Sequence, residues 1–234
     1  MTAQTEKKEC KSWDPVWDEI FASEAWGKYP PEEFIRFIAR NYYKVEDRSQ
    51  VKVLEIGSGA GACVWFVARE GFSACGIDGS QIAVERSIKL LDSDGLSANL
   101  VCGDVIELDR HFADQQFDVI YDVGCLQCNK FSNMQQIMEQ VFKHLLPGGR
   151  FFSIMAHEDI ASSLGGKEIE PNTFVDIEKG PLTGRGLNHI TTREELDILF
   201  EKFENVEIDY TERSLNNQSA VYKYWVCAAV KPEK

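Results

Sequence analysis

The sequence predicts an α/β fold built on a mostly parallel sheet, and three observations predict it. Between residues 51 and 155, short apolar runs of strand length alternate with segments whose apolar residues recur at helical spacing. The first of these runs, Val51 to Ile56, ends in three alternate glycines, Gly57, Gly59 and Gly61, just before a helix-like stretch. The chain then closes on two long strand-like runs separated by SLNNQ, which read as an antiparallel β-hairpin.

Composition bounds the function. The chain has 234 residues, a length suited to one α/β domain, 1–234, without internal repeats or linkers. Residues 1–45 read as an N-terminal helical cap and 46–234 as the core. Apolar residues make up 44% of the chain, which supports a sizeable core. The net charge of −13 comes from 38 acidic against 25 basic residues, so a nucleic-acid partner is not expected. No apolar run approaches the ~20 residues of a membrane span. The opening MTAQTEKKECKSW has no apolar signal segment, and the expectation is a cytoplasmic protein. Seven scattered cysteines suit a reducing compartment. Cys125 and Cys128 form a single C-x-x-C with no second pair, so no metal site is expected.

In the cap, Trp13, Trp17, Ile20 and Phe21 fall on one helical face, and Trp26-Gly27 breaks the run. Pro30-Pro31-Glu32-Glu33 starts a second helix, with proline and acid in its first turn. Phe34, Phe37, Ile38 and Tyr42 continue on one face. Trp26 and Tyr29 sit in the break, where side chains can face a cleft. In the core, strand 51–56 leads to a helix from Cys63 to Arg69, closed by Gly71. Strand 73–78 ends at Asp78, and Ser80 can cap the helix that runs to Asp94. Strand 98–102 precedes Gly103-Asp104-Val105. Strand 117–122 ends at Asp122, followed by Val123-Gly124. A helix from about 133 to 146 stops at Pro147-Gly148-Gly149, before strand 150–155. Residues 156–190 are glycine-rich and irregular, which suggests a functional loop or lid. Thr192 and Glu195 form a capping box for a helix over 193–203. Runs 206–211 and 220–230 complete the hairpin.

The chemistry centres on VKVLEIGSGAG. Glycines let the backbone turn sharply and approach a ligand closely. The following helix start offers unpaired N–H donors. The stretch also fits G-x-G-x-x-A, with Ala62 last, so a dinucleotide site is an alternative. Glu55 weighs against it, because a carboxylate at the strand end repels a pyrophosphate and suits a cationic ligand. With Glu55, Gly57, Gly59 and Gly61 in the pattern E-x-G-x-G-x-G, and with L-L-P-G-G-R-F-F at 145–152, the chain resembles the class I S-adenosylmethionine-dependent methyltransferases. The resemblance covers residues 51–230.

That resemblance implies a seven-stranded, doubly wound sheet with its last strand antiparallel. Its cofactor would be S-adenosyl-L-methionine (SAM), leaving S-adenosyl-L-homocysteine (SAH) as product. Cofactor contacts are expected from Glu55, Gly57, Ser58, Gly59 and Gly61, from Asp78 and Gly79 at the ribose, from Asp104 and Val105 at the adenine, and from Asp122 and Gly124 beneath the methionine part. Trp26 would cap the site. The chain has no N-P-P-Y or D-P-P-Y after strand 117–122, unlike the branches that methylate adenine or glutamine nitrogen. His157, just beyond strand 150–155, and His189, at the far end of the same loop, are the candidates for a general base. The function expected is methyl transfer to oxygen or nitrogen of a small-molecule metabolite. A protein-directed methyltransferase, a SAM-binding regulatory module without chemistry, and a NAD-dependent enzyme are the alternatives.

Overall fold

The computed structural model describes residues 12–234. Helices α1 (Val16–Ser23) and α2 (Glu32–Tyr42) precede strand β1 (Lys52–Ile56). The alternating part runs α3 (Ala62–Arg69), β2 (Ser73–Asp78), α4 (Gln81–Ser93), β3 (Asn99–Cys102), α5 (Leu108–Phe112), β4 (Phe117–Val123), α6 (Phe131–His144) and β5 (Leu145–Ala156). An inserted segment holds α7 (Ala161–Leu164), β6 (Lys167–Glu170), β7 (Thr173–Val175) and β8 (Asn188–His189). The chain ends with α8 (Arg193–Leu199), β9 (Glu204–Leu215) and β10 (Ala220–Val230).

The main sheet has seven strands in the order β3-β2-β1-β4-β5-β10-β9. Strands β1 to β5 pair in parallel, and β10 is antiparallel to both β5 and β9. The order reverses beside β1, which places the switch point between β1 and β4 and opens a crevice at their carboxyl ends. Alternate residues of each strand point to opposite faces. Leu54 and Ile56 therefore pack with α5, α6 and α8, while Val53 packs with α2, α3 and α4. Both faces are covered, which is why these strands read as continuous apolar runs.

Two stretches differ from the sequence expectation. Pro147-Gly148-Gly149 does not separate a helix from a strand. Strand β5 runs through it, with a register shift against β4 between Phe117 and Val119. Gly148 takes φ +76°, and a Cβ on Gly149 would press on the Leu146 carbonyl oxygen at 2.8 Å. The glycines thus make a bulge inside the strand. Residues 156–190 are also more regular than expected. Strands β6, β7 and β8 form their own antiparallel sheet over a small core of Ile160, Leu164, Ile177, Leu182 and Ile190. The β6–β7 turn is Pro171-Asn172, with Asn172 at φ +60°. Strands of two to four residues are too short to show an alternation in sequence.

Candidate active site

A cavity of about 330 Å³ opens at the carboxyl ends of β1, β2 and β4. Its floor is the turn from Gly57 to Gly61. Gly57, Gly59 and Gly61 all have positive φ, +67°, +50° and +88°. A Cβ on Gly57 would overlap Cys125, and one on Gly61 would overlap Ser87. Both glycines are therefore required by close approach as well as by backbone angle. Ser58 lines the cavity, is buried, and its Oγ has no hydrogen-bond partner among the described residues.

Two carboxylates enter the cavity wall. Glu55 is 4% exposed and accepts a hydrogen bond from the Tyr121 hydroxyl at 3.1 Å. Burial holds its pKa well above the usual carboxylate range. Asp78 accepts from the Gly59 N–H at 2.7 Å and the Ser80 N–H at 2.8 Å, so it ties the glycine turn to the start of α4. Burial pushes Asp78 up to about 6, against the two amide donors. Among the described residues, no lysine, arginine or histidine lines the cavity. Gly79, Gly103, Val105 and Gly124 complete the part furnished by the core.

The cap closes the other side. Trp17, Phe21 and Trp26 form one aromatic cluster, with centroids 5.0 to 6.4 Å apart. Phe21 lies against Gly59, Trp13 lies on Gly79, and Trp26 and Tyr29 stand exposed at the mouth. Arg185 of the insert bonds Glu24 at 2.6 Å and covers Trp26 at 5.3 Å, which ties the insert to the cap.

Several expected residues stand elsewhere. Asp122 does not line the cavity. Its Oδ1 accepts from the Cys125 and Leu126 N–H groups at 2.6 and 3.0 Å, and its Oδ2 accepts from Ser153 at 2.7 Å. It is fully buried, pushed up to about 6 by burial, and anchors the turn after β4. Asp104 also lies outside the lining. Its carboxylate accepts from the Ser12 N–H at 2.6 Å, from the Ser12 hydroxyl, and from the Ile106 N–H at 3.1 Å.

Neither histidine reaches the cavity. His157 stacks on Trp225 with centroids 3.7 Å apart, and its Nδ1 accepts from the Asp159 N–H at 3.0 Å. Burial and the Lys223 charge lower its pKa. His189 is fully buried, with Nδ1 at 2.8 Å from Thr173 Oγ1 and Nε2 at 3.0 Å from Glu195 Oε2. His157 thus packs on β10, and His189 joins β7 of the insert to α8. The insert itself contributes nothing to the lining.

Sequence reasoning missed Ser12, Trp13, Trp17, Phe21, Cys125, Cys128 and Asn129 as lining residues. An aromatic helix face has the same spacing whether it covers a core or a ligand. The turn at 125–129 did carry a signal, since it follows a strand whose carboxyl end faces the crevice.

Residues 47–203 match a family model described as a methyltransferase domain. A ubiquinone biosynthesis O-methyltransferase of Rickettsia conorii is 29% identical over 104 residues, 44% of this chain; the chain spans only 34% of that relative's length. A tRNA N(3)-methylcytidine methyltransferase of Schizosaccharomyces pombe is 23% identical over 90% of this chain and 71% of its own. Among solved structures, a SAM-dependent methyltransferase of Methanosarcina mazei superposes with a TM-score of 0.66 at 24% identity, over 84% of this chain and 98% of its own. That likeness is one of fold.

Proposed function

The chain belongs to the methyltransferase domain family, and from that premise we propose that it methylates an oxygen or nitrogen of a small molecule. It is a SAM-dependent enzyme. The observation that carries the reading is the character of the cavity. It is lined by two buried carboxylates, a glycine turn and aromatic rings, with no cationic side chain among the described residues. A pyrophosphate would meet two acids there, whereas a sulfonium with an ammonium suits them.

In this reading Asp78 takes the ribose hydroxyls, Val105 packs at the adenine, and Glu55 lies toward the cationic amino-acid end. Bound SAM supplies an activated methyl to a nucleophile. The chain's own contribution is to align and to exclude water. The aromatic cap covers the cavity, and the turn after β4, fixed by Asp122, forms a rigid wall. Alignment of this kind is worth several kcal/mol of barrier, up to ~7–11 in favourable cases. With His157 and His189 both outside the cavity lining, neither imidazole enters the scheme as a base. The name of the Rickettsia relative supports an oxygen acceptor. The Schizosaccharomyces relative favours a second reading, an RNA acceptor, against which the acidity of this chain weighs.

Incubation with methyl-labelled SAM and a cell extract separates these readings. After fractionation into metabolites, RNA and protein, the label is expected among the metabolites. Label confined to RNA or protein overturns the small-molecule acceptor.

A further inference from the structure

Asn129 stands on the cavity wall and is only 4% exposed. Its Nδ2 donates to the Cys125 carbonyl at 3.0 Å, and its backbone N–H donates to the Leu126 carbonyl at 3.1 Å. Its Oδ1 has no hydrogen-bond partner among the described residues. Flipping the amide would set Oδ1 against the Cys125 oxygen, so the orientation is fixed by chemistry.

The turn that carries it is rigid. Asp122 holds the Cys125 and Leu126 N–H groups, and Gln127 accepts from the Ala156 N–H at 2.7 Å while donating to Asn188 at 3.3 Å. A buried amide oxygen without a partner is costly, and it persists where a ligand's donor completes it.

We propose that Asn129 positions the methyl acceptor by taking a hydrogen bond on Oδ1 from the N–H or O–H of the reacting group. This rests on the small-molecule reading above and narrows it. An amide oxygen accepts only, so it selects a reacting atom that carries hydrogen, an amine or a hydroxyl. It also turns that atom's lone pair in a fixed direction. A carbon or thioether nucleophile has no such proton to offer. Among the described residues no cationic side chain lines the cavity, which favours an acceptor that carries no negative charge at the reacting atom. In the transfer, the nucleophile's lone pair forms the new bond to the methyl carbon as the carbon–sulfur bond breaks. The sulfur keeps that electron pair, and the methylated product, still carrying the proton, gives it up to solvent on release.

The test uses SAM labelled with ¹³C at the methyl group and the metabolite fraction of a cell extract. The carbon shift of the product reports whether the methyl sits on nitrogen, oxygen, sulfur or carbon. With the wild type, the expected product is N-methyl or O-methyl; a C-methyl or S-methyl product overturns the proposal. Asn129→Ala is expected to lose about 10- to 100-fold in turnover, the range of one well-placed hydrogen bond, while SAH affinity by calorimetry stays unchanged. Unchanged turnover overturns the role. A parallel fall in SAH affinity overturns it too, since Asn129 would then serve the cofactor. If the variant does not fold, the wild-type product class decides. If SAH binds but the wild type labels no metabolite, the small-molecule reading itself fails, and this inference fails with it.

Discussion

Asp78 holds the fold together and, in the proposed site, is left able to take the cofactor as well. Its two oxygens already hold the N–H groups of Gly59 and Ser80, and each oxygen has a further lone pair for a ligand. Asp78→Asn is expected to weaken SAM binding about 10- to 100-fold, the worth of a hydrogen bond to a charged group. Calorimetric titration measures this, and an unchanged affinity in a folded variant removes Asp78 from the site. Asp122 behaves differently, because it acts on stability. Burial raises its pKa to about 6, above the ~3.9 of a free aspartate. Its neutral form is favoured in the fold, so its contribution is complete below about pH 4 and is lost as pH rises through about 6. Urea unfolding should therefore show wild type losing on the order of 2–3 kcal/mol relative to Asp122→Asn between pH 4 and 6.5. A constant difference would mean that Asp122 is ionised throughout. Replacing His157 or His189 should leave any neutral limb of the pH–rate profile in place, because neither ring lines the cavity. Loss of such a limb in His157→Ala would return that ring to the chemistry.

Among the elements, the glycine turn is the one most fully legible in sequence. Its alternate glycines are demanded by positive φ and by the closeness of Cys125 and Ser87. Gly57→Ala should abolish SAM binding, since its Cβ would overlap Cys125 at a positive φ that an L side chain rarely adopts. Normal affinity in that variant would mean that the turn is not the cofactor loop. The bulge at Pro147-Gly148-Gly149 was less legible, because the same residues signal a helix stop and a strand irregularity. The insert was least legible, since short strands over a small private core leave no periodicity. The cap helix α2 carries a longer connection. Phe34 is fully buried and stacks on Tyr121 at 4.2 Å, and Tyr121 in turn donates to Glu55. Phe34→Ala should cost about 3–5 kcal/mol by urea unfolding and also weaken SAM binding. A loss of stability with full SAM affinity would separate the cap from Glu55.

At the scale of the molecule, the sheet order and the crevice at its switch point follow from the alternation of strands and helices, which the sequence displays openly. The division of labour around the crevice does not. The core supplies acids and glycines, whose positions in the strand order are readable. The cap supplies aromatic rings, and only the folded chain brings Trp13, Trp17 and Phe21 over the turn. Asp104 illustrates the limit: its place in the order marked it for the adenine, yet Ser12 from the distant cap holds its carboxylate. The central claim is that SAM lies in this cavity, with its ribose on Asp78 and its cationic end toward Glu55. A crystal structure of the SAH complex tests it most directly. The account predicts ribose hydroxyls on Asp78, the glycine turn beneath the ligand, and the Trp17–Phe21–Trp26 cluster above it. SAH bound elsewhere, or with its ribose away from Asp78, would contradict it.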